Sequence, residues 1–184
     1  MPPLILEGMA GVGKTSLALH IAHRVLDGEL SDVPVLFANL RGSAPQGPPA
    51  DPAAVLETFL RLLGTAGDRI PYGPDARAAL YRQLLTDTRA LIVLDDAEDA
   101  EQVRPLLPGA NGCRTLVTSR RTLTGLGEVT RPAVPPLDPD DSLALLRTTA
   151  GADRITLGSF RRPADRRPAR PPAPGAVGHR PPHA

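Results

Sequence analysis

The stretch that most limits what this chain can fold into is LILEGMAGVGKTSLALHIAHRVL, residues 4–26. An apolar burst runs straight into a glycine-rich segment. Helical spacing follows, with Leu17, Ile21, Val25 and Leu26 on one stripe beside Ala18 and Ala22. The residues between, Gly8-Met9-Ala10-Gly11-Val12-Gly13-Lys14-Thr15, fit the pattern G-x-x-x-x-G-K-[ST], and Ser16 continues them. Glycines let the backbone curl until successive N–H groups point inward, and no Cβ blocks an approaching oxyanion. The helix that opens near Lys14 adds the positive end of its dipole. A strand before and a helix after are the context in which such a turn seats a phosphate.

The chain has 20 arginines and one lysine, and that lysine is Lys14. A compact ammonium reaches phosphate oxygens as a point charge, where a planar guanidinium is too large. On this reading Gly8, Met9, Ala10, Gly11, Val12, Gly13, Lys14, Thr15 and Ser16 bind the phosphates of a nucleotide, and the Thr15 hydroxyl ligates Mg²⁺. A metal-side acid is then required. The run Leu91-Ile92-Val93-Leu94-Asp95-Asp96 supplies an apolar strand ending in carboxylates. Asp95 is expected to hold Mg²⁺ and Asp96 to orient or deprotonate the attacking water.

A further apolar run exits at Thr118-Ser119-Arg120-Arg121. Ligands of parallel sheets sit beyond the carboxyl ends of strands. Thr118 and Arg120 are therefore expected to face the γ-phosphate, with Arg120 sensing it or stabilising charge in the transition state. Guanine reading through Asn-Lys-x-Asp is excluded, because no lysine follows Lys14. His20 and His23, one turn apart on the first helix, read as surface or packing residues.

Along the rest of the chain, strands are expected at 3–7, 33–40, 90–97 and 113–120. Asp51-Pro52 reads as a helix start carrying Val55, Leu56, Phe59, Leu60 and Leu63, with Gly64 at its end. A helix capped by Asp75 is expected to turn Ala79, Leu80, Leu84 and Leu85 inward, and a short one spans about 99–104. A last helix begins at Asp138-Pro139 and carries Leu143, Leu145 and Leu146. This alternation predicts a three-layer α/β P-loop fold with a mostly parallel sheet. The strand at 33–40 falls between the two phosphate- and metal-side segments, which suits the P-loop branch with an extra strand.

Aromatics make up 3% of the chain and there is no Trp, so its core is built from Leu, Val, Ile and Ala. A lone cysteine, Cys113, excludes an internal disulfide and points to a reducing, cytoplasmic setting. No apolar run approaches a membrane span. The net charge of +1 conceals a split: residues 1–154 carry −4 and residues 155–184 carry +5. Bulk charge therefore gives the folded part no electrostatic footprint for nucleic acid.

The phrases GMAGVGKTSLALHIAH, LFANLRG, DPAAVLETFLRLLG, ALYRQLL, ALIVLDDAEDAEQVRPLLPG, TLVTSRRTLTGL and PPLDPDDSLALL occur in that order over residues 4–151. Together they resemble the NB-ARC-type nucleotide-binding domain of STAND signalling ATPases, in the version found in actinobacterial SARP-type (antibiotic-regulatory) transcription regulators. The resemblance implies an ADP/ATP switch that controls assembly or an attached output domain. It implies that Lys14 and Thr15 hold phosphates and Mg²⁺, that Asp95 supports the metal and that Arg120 reads the γ-phosphate. In the family a helical subdomain with a Gly-Leu-Pro-Leu-like phrase, then a winged helix, follow the last helix. Here residues 152–184 are a Pro/Arg-rich tail, with seven prolines from Ile155 onward, and are expected to be disordered.

The expectation is thus a truncated regulatory domain at 1–151, carrying no DNA-binding module in this chain. The abrupt change near Arg154 raises the expectation of an out-of-frame tail, which the coding nucleotides test. A small-molecule phosphotransferase and an inactive remnant are the other readings. The first needs an acceptor pocket and usually an arginine-bearing lid over the phosphates; no lid is evident in the sequence, and the exit at Ser119-Arg120-Arg121 fits a sensor better.

Overall fold

Among the described residues, strands alternate with helices and the four strands align in one direction. The computed structural model describes residues 1–28, 30–43, 47–109 and 112–150. The strands are β1 (Leu4–Glu7), β2 (Val35–Asn39), β3 (Leu91–Ala97) and β4 (Arg114–Ser119). They form one parallel sheet in the order β1-β4-β3-β2. On the free side of β1, residues 130–133 run parallel as an incipient fifth strand, with Ile5 N–H donating to Thr130 O at 2.8 Å. The strand inserted between β1 and β3 is β4; β2, which lies between them in sequence, sits at the sheet edge.

Helices cover both faces. On one face lies α1 (Lys14–Leu26), and alternate residues Leu91 and Val93 of β3 pack with Ala22, Ile21 and Val25. On the other lie α2 (Pro52–Leu62) and α3 (Pro74–Leu85), where Ile92 and Leu94 meet Leu56, Phe59, Leu60 and Tyr81. Both faces of β3 are thus buried, as its unbroken apolar run requires. The contact face of α1 is centred on Ala18 and Ala22, whose small side chains let the helix lie close to the sheet, while Leu17, expected inward, is 37% exposed.

Asp51 caps α2 as expected, accepting from Ala53 N–H at 3.0 Å ahead of Pro52, and Gly64 follows with φ 88°. The cap of α3 is Gly73 rather than Asp75: Pro74 takes the first helical position, which leaves Asp75 in the first turn, where its charge suits the dipole. Leu80, Leu84 and Leu85 do pack inward, but Ala79 is exposed and Ala78 and Tyr81 take the face instead. Tyr81 is fully buried 6.0 Å from the Phe59 ring, and its hydroxyl donates to Leu106 O at 3.1 Å. Burial, more than the neighbouring Cys113, pushes the phenol well above its ordinary value. Tyr81→Phe removes this buried hydrogen bond and is expected to cost about 1–3 kcal/mol, read from the urea midpoint. Stability from the un-ionised phenol is complete below pH ~10 and is lost as pH rises toward the raised native value.

A short α4 (Ala100–Val103) starts from Asp99, which accepts from Gln102 N–H at 2.9 Å. Residues Met1–Leu137 form one compact unit, and the described residues from Asp138 onward belong to a second. The second contains α5 (Pro139–Ala150), where Asp138 Oδ1 accepts from the N–H groups of Asp140 and Asp141. In α5 Leu145 is exposed, and the side chain of Leu146 falls outside those described. The expected disordered, out-of-frame tail at 152–184 also lies outside the described residues. Among the described residues, no helix is long and apolar enough to cross a membrane.

Candidate nucleotide site

The site is built at the carboxyl ends of the strands, where parallel sheets place ligands. β1 delivers the chain to the glycine-rich turn, and α1 starts from Gly13 in the left-handed region, φ 88°. Gly11 has φ 83°, and a Cβ at either glycine would meet nothing within 4 Å, so the space above both is open. No side chain caps the first turn of α1 and no acidic residue lies in it. Its first N–H groups thus retain their affinity for an anion.

Lys14 is folded under the turn, 8% exposed, and its Nζ donates to Gly8 O at 2.9 Å and Met9 O at 2.7 Å. Burial first, and then the Arg120 guanidinium, pull it below the ordinary lysine range, while Asp96 and Asp95 oppose the shift.

Across from the turn, Asp95 is the hub. Its Oδ1 accepts from Thr15 Oγ1 and from Thr118 Oγ1, each at 2.7 Å, and its side chain is nearly inaccessible. Thr118 Oγ1 in turn accepts from Asp96 N–H at 2.8 Å. The insertion of β4 next to β3 makes this triad possible. Thr15 and Asp95, from two distant segments, therefore point at one spot. A hydroxyl and a carboxylate so placed fit a magnesium ion that takes its remaining ligands from phosphate and water. Such an ion would neutralise charge on the phosphates. Among the described residues no cluster of three His, Cys, Asp or Glu forms a metal site by itself.

Asp96 departs from strand geometry. It has φ 55°, and the β3–β4 register breaks between Leu94 and Ala97. Its carboxylate accepts from Ser43 N–H at 3.0 Å and from the Ser43 hydroxyl, while Arg120 Nε stands 3.7 Å from Oδ1. The loop that carries Ser43 is tightly seated: Leu40 N–H donates to Asp95 O and Gly42 N–H to Asp96 O, both at 2.7 Å. A Cβ on Gly42 would lie 2.3 Å from Glu98 N and 2.5 Å from its Cα. Backbone cannot yield as a side-chain tip does, so Gly42→Ala is expected to cost about 1–3 kcal/mol or more in chemical denaturation.

Of the residues picked out by sequence, Gly11, Gly13, Lys14, Thr15, Ser16, Asp95, Asp96, Thr118 and Arg120 line one cleft of about 370 Å³. Gly8, Met9, Ala10 and Val12 do not line it; Gly8 and Met9 act through the carbonyls that hold Lys14, and the Met9 side chain is 73% exposed. Arg121 turns aside to Glu98, at 3.4 Å. Sequence reasoning missed Asn39, which lines the cleft, and Ser43. The signal was their position at and just past the carboxyl end of β2. A larger groove of about 500 Å³ lies at the opposite end of the sheet, beside His20 and Arg24, but its walls are mostly apolar and offer no amide cradle. His20 and His23 are exposed, as expected.

The chain is 44% identical over 154 residues to the regulatory protein AfsR of Streptomyces coelicolor, an alignment covering 82% of this chain and 15% of that one. It is 43% identical over 152 residues to AfsR of Streptomyces griseus, covering 80% and 15%. The chain thus spans about 15% of the length of these curated relatives. Among solved structures it is similar in fold to the Aeropyrum pernix ORC1 protein in complex with DNA, with a TM-score of 0.54 and 20% identity, over 81% of this chain and 43% of that one. The NB-ARC domain family matches residues 3–156, and the chain belongs to that family.

Proposed function

We propose that this chain is an ATP/ADP-binding switch domain of a STAND-type regulator, with slow Mg²⁺-dependent hydrolysis at most. The observation that carries this reading is the 2.7 Å hydrogen bond from Thr15 Oγ1 to Asp95 Oδ1 beside the uncapped start of α1. It joins the phosphate side of the cleft to the metal side. Lys14 releases the Gly8 and Met9 carbonyls to engage β- and γ-oxygens, Thr15 and Asp95 hold Mg²⁺, and Thr118 fixes the Asp95 rotamer. Arg120 reads the γ-phosphate, and Asp96 orients the attacking water. The likeness to proteins named regulatory supports a switch whose output lies in other domains or in self-association.

Calorimetric titration with ATP and ADP, each with and without Mg²⁺, tests the proposal. Both nucleotides are expected to bind, with Mg²⁺ strengthening ATP the more. Binding of neither rejects it. Rapid phosphate transfer to a small acceptor would replace it with a kinase.

A further inference from the structure

We propose that Ser43 is a positioning residue that keeps the Asp96–Arg120 ion pair from closing to a hydrogen bond, and so sets the preference of the cleft for triphosphate over diphosphate. The proposal rests on the reading of the cleft as an ATP/ADP seat and deepens it. Ser43 gives Asp96 two donors, N–H to Oδ2 and hydroxyl to Oδ1. Arg120 Nε lies 3.7 Å from that same Oδ1, beyond hydrogen-bonding distance. The hydroxyl thus holds the carboxylate at hydrogen-bonding distance, while the guanidinium stands off as an ion pair.

The fold fixes this arrangement in advance. The left-handed backbone at Asp96 takes its side chain out of strand alternation and toward the loop after β2. The base of that loop is pinned by buried Gln102, whose Nε2 donates to Leu40 O at 3.0 Å and Ala50 O at 2.9 Å. Gln102 Oε1 accepts from Glu98 N–H at 2.9 Å, which ties the same clamp to the exit of β3. Ser43 is therefore presented on a fixed support.

Guanidinium–carboxylate bonds are among the strongest side-chain hydrogen bonds. With the hydroxyl removed, Arg120, whose side chain is half exposed, closes the short remaining gap to Oδ1. A guanidinium so engaged no longer reaches for the γ-phosphate. ADP, which lacks that group, is indifferent to the change.

The test compares wild type, Ser43→Ala and Ser43→Thr in two readouts. In the nucleotide-free protein, NMR follows hydrogen exchange at Arg120 Nε–H. Exchange is expected to slow severalfold in Ser43→Ala and to stay at the wild-type rate in Ser43→Thr, which keeps the hydroxyl. With Mg²⁺ present, the ratio of ATP to ADP affinity is expected to fall about tenfold in Ser43→Ala, with ADP affinity within twofold of wild type, and to recover in Ser43→Thr. Unchanged Arg120 exchange with an unchanged ratio in Ser43→Ala overturns this proposal alone. A wild type that binds neither nucleotide overturns the ATP/ADP reading and this proposal together.

Discussion

Lys14→Ala is expected to weaken ATP and ADP binding at least ~100-fold, about 2.8 kcal/mol, while leaving the unfolding midpoint nearly unchanged. The ammonium is the basic group carried within the glycine-rich turn itself, and it is already desolvated beneath that turn. A desolvated cation is worth more to a phosphate than an exposed one, because water no longer competes for it. Its bonds to Gly8 O and Met9 O are local to the loop, whereas the cores on both faces of the sheet do not include it. Folding should therefore survive where binding fails. Lys14→Arg is expected to fail nearly as badly, because a planar fork does not fit the space occupied by a folded-back ammonium. Equal affinities in wild type and Lys14→Ala, measured by fluorescent-nucleotide displacement, would remove the phosphate seat from the account.

Asp95→Ala is expected to abolish the gain in affinity that Mg²⁺ confers, with metal-free binding changed only a few-fold. Thr15 and Thr118 both donate to one oxygen of this carboxylate, so its loss deprives the metal side of its charge and of the acceptor that orients both hydroxyls. Asp95→Asn separates these roles. The amide oxygen can still accept from the threonines but brings no negative charge to a divalent ion. Both variants should therefore lose the Mg²⁺ dependence, while Asn keeps the better thermal stability. A full Mg²⁺ response in Asp95→Asn would place the ion elsewhere.

Much of the fold was legible because apolar periodicity and turn chemistry coincide. The run 90–97 is apolar on both faces and lies at the middle of the sheet; Asp51-Pro52 and Gly64 bound a helix where capping physics puts them. The glycine-rich turn, Asp95 and Thr118 were legible for the same reason: each stands at a strand exit in a parallel α/β pattern. What escaped depends on partners far away in sequence. Tyr81 is interior because Leu106 O, 25 residues on, satisfies its hydroxyl. Leu17 gives way to Ala18 because close helix–sheet contact favours the smaller side chain. Ser43 and Gly42 acquire their roles only once β2 pairs with β3 and Asp96 takes a left-handed backbone, and no local pattern encodes either event. The family resemblance read from the ordered phrases is borne out by the match over residues 3–156.

The central claim is that the amides from Gly11 to Thr15 receive a polyphosphate. Backbone ¹H–¹⁵N shifts during titration with Mg²⁺-ATP test it most directly. The account predicts that the largest changes fall on Gly11, Gly13, Lys14 and Thr15, with smaller ones at Asp95 and Arg120. Saturable binding whose shifts cluster instead around His20 and Arg24, at the far end of the sheet, would contradict it, as would no shift in the turn at millimolar nucleotide.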